Sequence, residues 1–257
     1  MGDRNEVVTG IAIALDSTVP MIKAASAAGC NLLVTHHPPF WYAPTRFTAA
    51  DTAGQVDGAA VYAAARAGVA LLGMHTNVDC APAAYELLLA MMGLRFVGPL
   101  QPEIDRLGQI AEPLDEAATL ASLVETCVES FGPPYSVWGP PDQPIRRVAM
   151  CSGGASEVLP SVIKAAPDCF ITGELAHHEH LYLADAGIAL IELGHDRSEQ
   201  PYCGLLKDTL TAAGYPAGQI QLLSPSAVWW TPGSYPHEMN KSDKQIHNPI
   251  MDGEEHG

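Results

Sequence analysis

Apolar positions along the first hundred residues alternate between short unbroken runs and helix-spaced stretches. Val7 to Leu15 is a β-branched run of strand length, Pro20 to Ala28 has a helical pattern opened by proline and closed by Gly29, and Asn31 to Thr35 is a second buried-type strand. That order predicts a β-α-β unit, which favours a parallel sheet with both faces covered. A helix over Gly58 to Ala67, a strand over Val69 to Met74 and a helix over Ala83 to Met92, opened by Pro82, continue it. The same order returns later as strand Arg147 to Cys151, the small-residue turn Ser152 to Ala155, helix Leu159 to Ala166 and strand Cys169 to Thr172. Helix His178 to Ala186, strand Ile188 to Leu193 and a helix from Pro201 to about Ala213 complete it.

Local matches link the two stretches: Ile22 to Ala25 against Ile163 to Ala166, and Ala67 to Leu72 against Ala186 to Ile191. The expected fold class is therefore α/β, with two similar halves from an internal duplication and parallel or mixed sheets. The expected divisions are a first half over 1–98, a connector over 99–144, a second half over 145–230 and a flexible polar tail over 231–257. Within the connector, Asp115 to Phe131 is helical and Tyr135 to Trp138 is a short apolar run, leaving room for a strand or two but not for an inserted domain.

Composition narrows the function classes. The 257 residues are 47% hydrophobic and 16% charged, as in a soluble globular protein. No apolar run reaches the roughly 18 residues of a membrane span, and the N-terminus lacks a signal-peptide core, so a cytoplasmic protein is expected. A net charge of −16 argues against nucleic-acid polymers as partners, because phosphate neutralisation needs a basic face. The six cysteines form no CxxC pair, which favours buried free thiols over zinc knuckles or disulfides.

The ten histidines carry more information: seven fall in or near the apolar runs. A lone histidine on an apolar segment is usually a hydrogen-bonded core residue. His36 and His37 differ, because burying two adjacent imidazoles between a strand and Pro38-Pro39 is costly unless a metal or carboxylate engages them. His75 and Asp79 bracket a turn, and Asp79 has the alternative of capping the next helix. His195 and Glu199 are spaced i, i+4, and Glu199 has the alternative of a helix-dipole acid. Together these sets sit at predicted carboxyl ends of parallel strands, where open α/β sheets place ligands. They supply about five ligating groups, more than one tetrahedral zinc needs and suited to two divalent ions.

Four ordered stretches, THHPPFW at 35–41, HTNVD at 75–79, TGELAHHE at 172–179 and GHDRSE at 194–199, resemble the signature of the NIF-three-like family, often called GTP cyclohydrolase type 2 homologues. The resemblance covers roughly residues 5–230. It implies two similar α/β halves, a dinuclear metal site in the cleft between them and commonly a ring-shaped homohexamer. The implied ligands are His36, His37, Asp79, His195 and Glu199, and His75 and His178 match further histidines near the family's centre, with outer or substrate-facing roles expected. Relatives usually open with a further stretch containing Asp-Asn and Gly-Leu-Gln that this sequence does not include. The expected function is a metal-dependent hydrolase using two divalent ions (Zn, Fe, Mn or Co) on a small molecule, with a nucleotide as one candidate. His178 and Glu174 are the candidate general acid or base. The alternative is a non-catalytic protein that holds or delivers metal, or a scaffold.

Overall fold

Every position of strand β1 (Ile11–Ala14) is buried, because each of its faces meets a different core. Ile11 and Ile13 point to one cluster and Ala12 and Ala14 to another, the period of two that a pleated strand imposes. In the computed structural model the described residues are 1–42, 47, 58–101 and 107–224, all within the unit Met1–Pro225. The expected tail over 231–257 lies outside them.

Helix α1 (Val19–Ala27) starts where the Thr18 hydroxyl accepts from the Met21 amide, with Pro20 preset for a first turn. Strand β2 (Leu32–Thr35), helix α2 (Ala59–Ala67) and strand β3 (Ala70–Gly73) follow. α2 ends on Gly68, left-handed at φ 65°. β1, β2 and β3 pair in parallel, with Ala14 beside Thr35 and Thr35 beside Gly73. The chain therefore leaves all three strands at the same edge. Two short connecting elements come next, α3 (Thr76–Asp79) and α4 (Pro82–Met91).

The second sheet has six strands. β4 (Leu94–Pro99) and β5 (Gln109–Pro113) form an antiparallel pair, α5 (Leu120–Phe131) follows, and β6 (Ser136–Trp138) forms the far edge. β7 (Val148–Gly154), β8 (Cys169–Glu174) and β9 (Ala189–Glu192) are parallel, joined by α6 (Leu159–Ala165) and α7 (His177–Asp185). Helices α8 (His195–Glu199) and α9 (Pro201–Ala212) precede β10 (Ile220–Leu222). The strand order is β4-β5-β7-β8-β9-β6 in this sheet and β10-β1-β2-β3 in the other.

Five layers result. Ile11 and Ile13 of one sheet and Val148, Met150, Ile171 and Ile191 of the other share a central core with residues of α4, α5 and α9. α1 and α2 cover the outer face of the first sheet, and α6 and α7 that of the second. Among the described residues, no helix is long and apolar enough to cross a membrane. All six cysteines are free thiols, five of them buried.

The fold is mixed α/β with one parallel and one mixed sheet, and several boundaries differ from the sequence pattern. The stretch read as a connector supplies β5 and β6 to the second sheet and α5 to the central core, and β4 from the expected first half joins the sheet there. β10 crosses the other way to pair with β1. Pairing partners so distant leave no local pattern. The first strand begins at Ile11 rather than Val7, since Val7 and Val8 are exposed and Asn31 takes up the Val7 carbonyl and the Thr9 amide. α5 begins at Leu120 rather than Asp115, because Thr119 and Ser122 form a reciprocal capping box.

Candidate metal centre

The parallel registers deliver the polar residues. His36 and His37 follow β2 directly, Asp16 lies just past β1, and Glu174 is the last residue of β8. His75 follows β3, and Asp79 ends the single turn of α3. His195 and Glu199 open and close α8. Hydrogen bonds from the Met74 amide to the Thr35 carbonyl (2.7 Å) and from the His37 amide to the Leu15 carbonyl (2.9 Å) extend the parallel ladder to the foot of the site.

Both alternatives kept for the carboxylates fail here. The residue capping α4 is Ala81, with no side-chain cap, and Asp79 turns instead to His36, Oδ1 to Nε2 3.5 Å. Glu199 is 3% exposed, too buried for a solvated first-turn acid. Its Oε1 lies 3.4 Å from His36 Nε2, and its Oε2 lies 3.1 Å from His37 Nε2 and 3.3 Å from His195 Nε2.

Each of three imidazoles is held from behind. His36 Nδ1 lies 3.0 Å from the Met74 carbonyl, His37 Nδ1 2.8 Å from Asp16 Oδ1, and His195 Nδ1 2.8 Å from Glu174 Oε1. Those oxygens only accept, so every Nδ1 carries the proton and donates it. In the neutral rings every Nε2 is then a bare lone pair turned inward. His37 Nε2 and His195 Nε2 face each other at 3.2 Å, beside a carboxylate that also only accepts. His36 Nε2, Asp79 Oδ1 and Glu199 Oε2 are buried without any hydrogen bond. A convergence of acceptors with no donor among them requires positive charge, supplied by added protons or by metal cations.

The proton affinities report the same demand. In the protonated ring, hydrogen bonding to Glu199 and Glu174 outweighs burial and raises His195 to about 9. Burial lowers His37, but the Asp16 and Glu199 carboxylates override it and raise the ring to about 9. Burial pushes Asp79 up to about 6. Burial also pushes Glu199 up, yet the imidazoles of His195, His36 and His37 hold it well below the usual carboxylate range. His75 is lowered by burial and by the neighbouring histidines.

Three overlapping groups have ligand atoms close enough to share an ion: His36, His37 and His75; His37, His195 and Glu199; His36, Asp79 and Glu199. This donor set of imidazole nitrogen and carboxylate oxygen suits divalent transition ions. Glu174 lies at the edge as the acceptor for His195. His178 is not brought to the cluster: it is exposed on α7 with its ring edge-on to Tyr182, centroids 5.6 Å apart.

Several supporting residues escaped the sequence pattern. Asp16 carried no signal beyond its place after a buried strand. Gly153, at φ 63°, leaves space that a Cβ would take from the Glu199 carboxylate. Its amide donates to Ser198 Oγ at 2.9 Å, fastening α8 to β7. Tyr202, buried in α9, has its ring centroid 5.1 Å from that of His36, and its hydroxyl lies 2.8 Å from Ser152 Oγ. A cavity of about 340 Å³ opens beside the cluster, walled by Trp41, His75, Gln109, Ser152 and Glu157.

Comparison with known proteins bears on the family and the fold. The chain is 28% identical over 216 residues to a Streptomyces coelicolor protein named GTP cyclohydrolase 1 type 2 homolog, covering 80% of this chain and 74% of that protein. It is 25% identical over 218 residues to NIF3-like protein 1 of Drosophila melanogaster, covering 80% and 72%. Among solved structures, the Staphylococcus aureus hypothetical protein SA1388 superposes with a TM-score of 0.73 at 21% identity, over 90% of each chain. Reduced HcgD from Methanocaldococcus jannaschii gives a TM-score of 0.70 at 22% identity, over 88% of this chain and 87% of that one. Those likenesses speak to the fold. The sequence profile of Duf34/NIF3 (NGG1p interacting factor 3) matches residues 1–222, and the chain belongs to that family.

Proposed function

We propose that the protein holds two divalent cations on His36, His37, Asp79, His195 and Glu199 and acts as a metal-dependent hydrolase on a small molecule. The observation that carries this reading is the inward convergence of three Nε2 lone pairs and two carboxylates with no donor among them. Glu199 lies between three imidazoles and belongs to two of the groups that would hold an ion. Two divalent ions held by these residues would supply Lewis acidity and would lower the pKa of water toward neutrality. The chain's own residues set the geometry around them. Asp16, Glu174 and the Met74 carbonyl fix ring tautomer and direction, so each Nε2 is presented without reorganisation. Glu174 is exposed at the rim and is the carboxylate placed to accept or return a proton there. His75 presents a half-buried ring to the cavity as a substrate-facing group. His178 receives no step, because its placement against Tyr182 gives it none.

GTP is the first substrate to try, given the names of the relatives, in cytoplasmic-type buffer with Mn, Fe, Co or Zn. The ring-shaped homohexamer belongs to the same proposal and is checked by light scattering. The deciding experiment is metal analysis of untagged protein beside Glu199→Gln. Wild type should carry about two ions and the variant about one, with an unchanged circular dichroism spectrum. Unchanged metal content would remove Glu199 from the ligand set. Two bound ions with no turnover of a nucleotide and ester panel would favour a metal-holding role over hydrolysis.

A further inference from the structure

The cavity beside the cluster has one wall that the metal chemistry does not use. Trp41 lies there, its ring centroid 4.9 Å from that of His75 with the planes 80° apart, and 6.2 Å from that of His37. Contact with two imidazoles of the cluster fixes the indole beside the centre, yet the residue remains 65% exposed. Leaving so large an apolar surface in water forgoes the burial that an indole ordinarily gains. The remaining lining mixes polar side chains, among them Thr76, Ser152 and Glu157, with apolar ones such as Leu107 and Val158. At about 340 Å³ the space is at the small end of ligand sites, enough for a fused ring and little more.

We infer that this cavity binds a planar heteroaromatic ring stacked on Trp41, with the edge of the ring turned to the metal centre. This rests on the proposed metal-dependent function and names the substrate class for it. Flat rings stack on indole in offset or edge-on geometry, and the contact is tolerant of ring identity. A heterocycle lying on Trp41 keeps its ring nitrogens and exocyclic oxygens in its own plane. Those in-plane groups are what His75 and the metal ligands can meet, and Thr76 and Glu157 line the same cavity. A saturated sugar touches indole only through C–H groups and has no π-face of its own, so it gains less from the same wall.

The test is calorimetric titration of the full chain loaded with zinc, using guanosine and hypoxanthine as planar probes and ribose as the saturated one. Zinc is chosen because its closed shell leaves indole emission to report on the ligand. At least one planar probe should bind wild type and quench its emission. Trp41→Ala should weaken that binding by ten- to a hundredfold, Trp41→Phe by threefold at most, and ribose should bind at least tenfold more weakly than the planar probe. Zinc content should be the same in all three proteins. The inference is overturned if neither planar probe binds, if Trp41→Ala binds as tightly as wild type, if ribose binds equally well, or if Trp41→Ala loses zinc. Metal analysis separates the two readings. Should the wild type take up no zinc, the same titrations on the metal-free chain still decide the stacking: Trp41-dependent binding upholds it and its absence overturns it.

Discussion

A ligand set is only as good as the atoms behind it. The carboxylates of Asp16 and Glu174 and the carbonyl of Met74 each hold one Nδ1 and so aim one Nε2. Replacing such an outer carboxylate in known metal sites typically costs ten- to a hundredfold in affinity. Asp16→Asn should therefore weaken metal binding by that order, in a chelator-competition titration, while leaving the fold intact, since Asp16 is half exposed at its side chain. Wild-type affinity in the variant would show that the hydrogen bond does not orient His37. The three clusters His36-His37, His75-Asp79 and His195-Glu199 were legible because histidine and carboxylate at strand ends are unusual residue types in an apolar context, and the family resemblance, not that context, singled out five of these residues as ligands. Sequence reading missed Asp16 because one acid after a strand is commonplace. His178 drew attention by standing among three histidines, but helix periodicity turns it to solvent beside Tyr182, whereas His180, two residues on, is buried against Glu192 at 3.3 Å.

The elements that carry the site are short, and their placement depends on tight contacts rather than on helix propensity. α3 and α8 have four and five residues, too few to persist alone in water. α8 is instead fastened by Ser198, which accepts from the Gly153 amide and donates to the His195 carbonyl at 2.8 Å. Gly153→Ala would place a methyl group against the Glu199 carboxylate at a left-handed position. The expected result is a loss of about 1–3 kcal/mol in unfolding free energy together with reduced metal content, read by denaturant titration and metal analysis. Full metal content in that variant would show that Glu199 has room to withdraw without loss. Glu192 has a comparable role in the neighbouring strand: it accepts from the Leu175 amide at 2.9 Å and from Ser136 Oγ at 2.8 Å, steadying the turn that presents Glu174. The βαβ order and most helix spans were legible from apolar periodicity and from proline and glycine punctuation. β4, β5 and the exchange of β4 and β10 between sheets were not, because antiparallel partners and edge strands are chosen by distant registers.

For the whole molecule, the cluster couples acidity to stability. His37 and His195 bind protons more tightly in the folded metal-free chain, at about 9, than in the unfolded one, at about 6.5. Their contribution is complete below pH 6.5 and is lost as pH rises toward 9. Metal ions must displace those same protons, so metal affinity climbs over that window. The gap in melting temperature between metal-loaded and chelator-treated protein should accordingly widen from pH 6.5 to 9. A constant or narrowing gap would mean that the two rings are not the ones metal displaces. The acidic balance of −16, which argues against polyanionic polymers as partners, belongs to the surface as a whole and says little about a centre where imidazoles outnumber carboxylates.

The pairing of β10 with β1 has a consequence for how the chain is made. Ile11 waits for Ile220 and Ile13 for Leu222, so the first sheet keeps an open edge until almost the entire described chain has left the ribosome. His195 and Glu199 are likewise late arrivals at a site begun by His36 and His37. Synthesis therefore cannot release a finished amino-terminal half that later docks to a second one, as ordinary tandem domains do. Truncation before residue 220 should leave a nascent chain that remains protease-sensitive throughout, and arrested-chain proteolysis with stalls on either side of β10 would register its emergence as a single step to resistance.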